Sequence, residues 1–315
     1  MIKPHRLLVV FAPNSTRANE YLLDIQPTLQ TFANSLGISF EEVAIENLPF
    51  FSVSKLISEQ VQTGDLIIIA GGDGLTNAVL DGLAKSSQAA TLAVLPLGQM
   101  NDFSKSLNGR RTNPETILRQ QARDFYPLEI HLTTQNGKQE IFTSRYISFG
   151  VTAVLTDWLN SDQVRSRRRS NKNPVRSVIL GARNIRPISH QISDLKSMNF
   201  QRNEIGWSLN SFGFFLGPAG NLFRLKSAKD LTFSDRQFFY HQTDFSGKMI
   251  RNAREFSAWL WRGLPGEISI EEEIFFDKPT TLLGQIGGDS IEFNRVTKIS
   301  VKRSEKAIKV LAKNI

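Results

Sequence analysis

Between residues 6 and 122 the chain alternates short apolar runs with longer amphipathic segments, and this rhythm restricts the fold more than any other feature. The runs are RLLVVFA (6–12), ISFEEVAI (38–45), DLIIIA (65–70) and TLAVLP (91–96), with helical patterns near 18–35, 53–62, 76–85 and 101–107 between them. Such alternation predicts βαβ units, hence a parallel sheet covered by helices. Ligands of such sheets sit beyond the carboxyl ends of the strands. Two glycine-bearing corners fall at those ends, GGDG at 71–74 and LGQMND at 97–102. Asn113-Pro114 then predicts one more short helix, with Asn113 as its cap and Pro114 in the first helical position.

After about residue 124 the texture becomes strand-like. FYPLEIHLTT and KQEIFTSRYISFG flank Gln135-Asn136-Gly137, a hairpin signal. Helical patterns near 152–160 and 174–186 interrupt it, and the later runs are again strands and turns. The expected organisation is an α/β domain over 1–123, joined by closing strands at about 297–315, and a mostly antiparallel, sandwich-like domain over 124–296. The run Glu271-Glu272-Glu273 reads as a solvated β edge or turn rather than a metal site.

Composition bounds the chemistry. The 315 residues and 40% hydrophobic content suffice for a real core. No cysteine is present, which excludes disulfides, thiolate metal sites and a cysteine nucleophile. The four histidines lie far apart in sequence, so a metal here would be held by oxygen. No run approaches the roughly 18–20 apolar residues of a bilayer-spanning helix, and the opening MIKPHRLLVVFAPN turns polar too soon for a secretory signal. A cytoplasmic location is expected. The net charge of +8 comes from one window, 163–193, where Arg165, Arg167, Arg168, Arg169, Lys172, Arg176, Arg183 and Arg186 occur without an acidic residue. That window reads as a solvated loop, or as a contact for an anionic membrane face or a phosphorylated ligand. Without interleaved aromatics or a recognisable nucleic-acid module, nucleic acid is not the expected partner. The cluster Phe256, Trp259, Leu260 and Trp261 reads first as core and second as a seat at a bilayer interface.

The stretch IIIAGGDGLTNAVLDGL carries the chemistry. A strand ending in GGDG and leading straight into a helix presents main-chain N–H groups, a cradle for an anion. Glycine suits it because close approach of phosphate to main chain excludes a Cβ, and Asp73 adds a carboxylate for Mg²⁺ or a substrate hydroxyl. The same residues also make a tight βα turn with nothing bound. The neighbouring LPLGQMNDF repeats the arrangement, and there Asn101 also suits a helix N-cap.

Together, GGDG-x-x-N-x-x-x-x-G-L at 71–83 and LPLG-x-x-NDF at 95–103 resemble the catalytic domain of diacylglycerol kinases. More narrowly they resemble bacterial lipid kinases related to sphingosine kinases and, more distantly, NAD kinases. The likeness extends to RLLVVFAPNS, YISFGVTAV, VRSVILGARNI, SAKDLTFSDRQF and GQIGGDSIEF. It implies an ATP- and Mg²⁺-dependent kinase that phosphorylates the hydroxyl of diacylglycerol or a related lipid, working as a cytoplasmic protein able to visit the inner membrane face. Action on a soluble nucleotide such as NAD is a weaker reading, because the second corner matches the lipid branch. By this likeness Asp73 and Asp289 are the catalytic carboxylates and Asp73 and Asp235 the metal ligands. Asn14, Ser15, Gly71, Gly72, Gly74, Thr76, Asn77, Gly98 and Asn101 would form the nucleotide site, with Asp102 bracing the second corner.

The chain departs from that pattern at defined positions. Leu75 stands where the first corner usually has Thr, and Gln99-Met100 where the second has Thr-Gly, so two hydroxyls are gone. Ala12 replaces an Asn in the first loop. Gly287-Gly288-Asp289 stands for Asp-Gly-Glu, and Ser234-Asp235-Arg236 for Asp-Asp-Gly. The alternative function is therefore a nucleotide- or lipid-binding module on the same fold with impaired catalysis.

Overall fold

The computed structural model describes residues 4–98, 101–109, 113–150, 153, 198–209, 211–216, 221–222, 225–226, 237–243, 266–286 and 289–313. The first four apolar runs form β1 (Arg6–Phe11), β2 (Ser39–Ala44), β3 (Leu66–Gly71) and β4 (Thr91–Pro96), all mutually parallel in the order 2-1-3-4. Every residue of β1 and β3 is buried, which is why these strands read as continuous apolar runs. The alternating side chains feed two cores. Leu8, Val10, Ile67, Ile69, Leu92 and Val94 face one, and Leu7, Val9, Ile68, Ala70 and Leu95 the other.

Helix α1 (Ala18–Glu20), a π-helical turn (Tyr21–Ile25) and α2 (Gln26–Leu36) run end to end over the second core. Over the first lie α3 (Phe50–Gln60), α4 (Asp73–Lys85) and α5 (Asp102–Asn108). Short helix α6 (Pro114–Leu118) returns to the second core, and its cap Asn113 accepts the Thr116 N–H at 2.8 Å as expected.

β5 (Gln121–Phe125) closes the first sheet at one edge, antiparallel to the last strand of the chain, while that last strand, Ile308–Ala312, runs parallel to β4. Of the segment 297–315, residues 297–303 belong to the second sheet and only Ile308–Ala312 to the first.

The second sheet is antiparallel throughout. It contains β6 (Leu128–Thr134), β7 (Gln139–Ser144), β8 (Tyr146–Gly150), β9 (Met198–Arg202), β10 (Ile205–Leu209) and β11 (Ser211–Leu216), with the pair β12 (Asn221–Leu222) and β13 (Leu225–Lys226) apart from it. β14 (Phe238–Thr243), β15 (Glu267–Ser269), β16 (Glu271–Ile286) and β17 (Asp289–Arg303) complete it, and Ile308–Ala312 is β18. The β6–β7 hairpin turns where Gln135-Asn136-Gly137 predicts, with Gly137 at φ 73°. The Glu271–Glu273 run pairs with β17 at Lys302, Val301 and Ser300, and Glu271 is exposed, but Glu272 is buried, its carboxylate taking Arg202 Nε at 2.7 Å and Nη2 at 2.8 Å. Two charges in one interior were not legible in a run of three carboxylates.

The core does not stop between the sheets: Val79, Leu80, Leu83 and Phe103 share one cluster with Ile130, Phe142, Ile147 and Phe149. Helix α4 is thus packed on the first sheet and beneath the second. Among the described residues no helix is long and apolar enough to cross a membrane. The helical patterns at 152–160 and 174–186, the basic window and the Phe256–Trp261 cluster lie outside the described residues.

Candidate functional site

In the order 2-1-3-4 the chain leaves β1 toward one side and β3 toward the other, opening a crevice between their carboxyl ends. Three loops surround it, residues 12–17 after β1, the corner 71–75 after β3 and the corner beginning at Leu97 after β4. They are tied to one another. Leu97 N–H donates to Gly71 O at 3.2 Å, Arg17 N–H to Leu97 O at 3.2 Å and Arg17 Nη1 to Pro96 O at 3.0 Å.

The two glycine corners touch through main chain. A Cβ on Gly98 would lie 2.5 Å from Gly72 Cα and 3.3 Å from Gly72 N, so only glycine permits this approach. Gly72 is also the residue ahead of α4, and no side chain caps that helix. Thr76 N–H donates to Gly72 O at 3.1 Å, which leaves the N–H groups of Asp73, Gly74 and Leu75 in the first turn ahead of it. Those groups and the positive end of a 13-residue helix are what an anion would meet.

The named side chains divide sharply. Asp73 turns toward the second corner: Oδ2 accepts Asp102 N–H at 3.0 Å and Oδ1 accepts Phe103 N–H at 3.1 Å. It therefore caps α5, the task that Asn101 suits by sequence. Asn101 sits in the left-handed region at φ 51° and instead clasps its own loop, accepting Gly98 N–H at 2.8 Å and donating to Gly98 O at 2.5 Å. Asp102 is buried beside Lys105 Nζ at 3.8 Å.

Thr76 and Asn77 face inward. Thr76 Oγ1 donates to Gly72 O at 3.0 Å, and the residue is 1% exposed. Asn77 is fully buried; its Nδ2 donates to Asp73 O at 2.8 Å, and its Oδ1 accepts Ser144 Oγ at 2.9 Å and Arg145 N–H at 2.8 Å. Asn14 is exposed and donates to Asn47 Oδ1 at 3.1 Å. Ser15 Oγ, on the crevice loop, is buried with no hydrogen-bond partner among the described residues.

Leu75 answers the departure at that position. Its side chain lies over Gly71, with Cδ2 2.7 Å and Cβ 3.3 Å from where a Gly71 Cβ would be, and Ala12 Cβ stands 3.4 Å from the same point. An apolar branch thus packs over the end of β3, near Ala12 and against the first core, where the resemblance places a hydroxyl. Gln99, Met100 and Asp235 lie outside the described residues. Asp289 opens β17 opposite Ile286, and its side chain too lies outside them.

Sequence reasoning passed over three participants, Asp81, Ser144 and Arg145. Asp73, Asn77 and Asp81 recur every fourth residue, so they form one stripe along α4. That stripe faces the β7–β8 junction. Asp81 is wholly buried and accepts Ser54 Oγ at 2.5 Å, Lys85 Nζ at 2.6 Å and Thr143 N–H at 2.6 Å. A polar stripe on an otherwise apolar helix was the available signal.

Comparisons with known proteins agree with this arrangement. The Diacylglycerol kinase catalytic domain matches residues 6–132. A diacylglycerol kinase of Bacillus subtilis (strain 168) is 54% identical over 43 residues, 14% of each chain. One from Staphylococcus saprophyticus is 40% identical over 47 residues, 15% of each. These matches span about one seventh of the curated relatives' length. A crystal structure of a diacylglycerol kinase from Bacillus anthracis superposes with a TM-score of 0.61 at 13% identity, covering 98% of this chain and 97% of that one. Another solved chain from the same organism reaches 0.65 at 14% identity, covering 99% of both. Residues 6–132 thus match the diacylglycerol kinase catalytic-domain model, and the chain as a whole shares the fold of those bacterial structures.

Proposed function

We propose that this protein is a lipid kinase that transfers the γ-phosphoryl group of ATP to the hydroxyl of diacylglycerol or a related lipid. The observation that carries the reading is the pair of glycine corners pressed together at the β1/β3 crevice, with the first turn of α4 opening beside them. Phosphate fits this place, since a Cβ is excluded at Gly98 and Ser15 Oγ lacks a partner among the described residues. The N–H groups of Asp73, Gly74 and Leu75 would hold phosphate oxygens, and Ser15 would donate one more hydrogen bond. A divalent cation would share Asp73, whose carboxylate keeps lone pairs beyond those given to α5. Bound there, the cation supplies neutralisation of phosphate charge. Phosphoryl transfer asks a protein mainly for positioning and charge stabilisation, and the linked corners supply the first. Asp289 and Asp235 remain the proposed base and second metal ligand, and contact of Arg165, Arg167, Arg168, Arg169 and Lys172 with an anionic membrane remains a proposal of the same kind.

Leu75 favours a second reading, a module that binds nucleotide or lipid and transfers phosphate poorly, because an apolar branch over Gly71 stands where the resemblance has a phosphate-binding hydroxyl. Incubation with γ-labelled ATP, Mg²⁺ and mixed micelles of diacylglycerol separates the two. Label in the lipid is the expected result. Adenine nucleotide binding in calorimetry without label in any of a panel of lipid alcohols would establish the second reading, and absence of label, of nucleotide binding and of binding to the lipid micelles would overturn both.

A further inference from the structure

Arg145 joins the end of β7 to the start of β8, yet its side chain leaves the second sheet and enters the junction beneath the two glycine corners. The residue is 2% exposed, a place arginine seldom occupies without a partner of opposite charge. Its guanidinium carbon lies 4.7 Å from the Tyr146 ring centroid and 5.8 Å from that of Phe103, and Nη2 lies 3.7 Å from Asp73 Oδ1. The Arg145 main-chain N–H is held separately by Asn77 Oδ1, so α4 fixes both the backbone and the charge of this residue.

We propose that Arg145 is a positioning residue, which through Asp73 sets the orientation of α5 and hence the spacing of the two glycine corners. Asp73 is pinned on three sides, by the amides of Asp102 and Phe103 and by the buried cation. Without that cation the largely buried Asp73 carboxylate loses its opposite charge and has every reason to turn to water. The two α5 amides then lose their acceptor, and the second corner loses its anchor. Since Gly98 stands against Gly72, the movement reaches the first corner directly. The second sheet thereby reaches the second corner through this side chain, in addition to its hold on α4 through Thr143, Ser144 and the Arg145 N–H. The consequence for nucleotide rests on the function proposed above; the consequence for α5 does not.

Two variants test this. Arg145→Met keeps the length and the ring contacts but removes the charge, whereas Arg145→Lys keeps a cation near Asp73. Amide hydrogen exchange by NMR is read at Asp102 and Phe103, with Val9 and Ile68 as references in the first sheet. The expected result is exchange about tenfold or more faster at Asp102 and Phe103 in Arg145→Met, unchanged references, and substantial recovery in Arg145→Lys. Unchanged protection at the two amides, or equal loosening of amides and references, overturns the proposal. Nucleotide calorimetry adds a second readout: Arg145→Met and Asp73→Asn each weaken ATP binding, and the double variant weakens it no further than the worse single one. Additive losses overturn action through Asp73. If the unaltered protein takes up no ATP, the kinase reading falls and the exchange experiment decides this inference alone.

Discussion

Gly98→Ala is the sharpest probe of the crevice because its cost follows from one distance. The new Cβ would lie 2.5 Å from Gly72 Cα, whereas carbon atoms pack at about 3.5–4.0 Å, so the corners must part by roughly 1 Å. The obstacle is main chain on both sides, and no rotamer change relieves it. Overpacking of this kind costs about 1–3 kcal/mol. At roughly 2–4 °C per kcal/mol for chains approaching this size, the melting temperature falls by several degrees. The contrast lies in Gly72→Ala, whose Cβ would be 3.4 Å from Gly98 Cα, near ordinary contact, at an unstrained φ of −97°. That change costs less than about 1 kcal/mol. Under the function proposed above the pair separates further, because a 1 Å displacement of groups that position a reacting phosphate costs on the order of 100-fold in rate. Calorimetric melting and labelled-phosphate transfer, run on both variants, decide the matter. Gly98→Ala with unaltered melting, or Gly72→Ala the more damaging of the two, would refute the account of why glycine stands at 98.

Three further outcomes follow from the same geometry. Asp81→Ala removes the acceptor of Ser54 Oγ and the Thr143 N–H inside the protein, and of the half-exposed Lys85, and should destabilise it by about 2–4 kcal/mol in denaturant titration; a loss under about 1 kcal/mol contradicts the buried network. Burial pushes both Tyr21 and Tyr240 well above the ordinary phenol value of 10.0. The folded state then keeps protons that the unfolded chain releases, so stability holds below about pH 10 and falls as pH rises beyond it. Tyr21→Phe and Tyr240→Phe should flatten that alkaline slope, and a slope unchanged in the double variant counts against it. Leu75→Thr clears Cδ2 from above Gly71 and offers a hydroxyl, so ATP affinity by calorimetry should rise about tenfold, the worth of one hydrogen bond to a charged group. Weaker binding in that variant means that Leu75 is not the obstruction.

The first sheet was legible because its strands are buried on both faces, so Ile67-Ile68-Ile69 and Leu7-Leu8-Val9-Val10 announce themselves without alternation. The corners were legible for a related reason: glycine after such a run has few uses other than a tight approach. What the sequence did not disclose is which way polar side chains turn. Asn101 has the chemistry of an N-cap, yet the cap is Asp73, brought from another helix by the contact of Gly72 with Gly98. Glu272 sits between two carboxylates in sequence but inside the sheet in space, because alternation along β16 sends it to the face where Arg202 lies. In both cases the partner lies far away in the chain, and local pattern does not name it.

Helix α4 is held along its whole length, and this bears on how the missing hydroxyls should register. At its start Asp73 grips α5, in its middle Asn77 and Asp81 grip Thr143–Arg145, and at its end Lys306 Nζ donates to Leu83 O at 2.9 Å, Ala84 O at 3.3 Å and Ser86 O. An ammonium group at the carboxyl end and a carboxylate at the amino end both suit the helix dipole. The crevice is therefore framed by main chain on a clamped helix, and the positioning that phosphoryl transfer requires does not depend on residue 75. A hydroxyl there would bind phosphate about equally in the ground and transition states, and uniform binding of that kind lowers KM without raising kcat. Leu75→Thr should thus lower KM for ATP and leave kcat within about twofold. A variant whose kcat rises tenfold at constant KM would show instead that the leucine disturbs alignment, and that the clamp on α4 does not govern it.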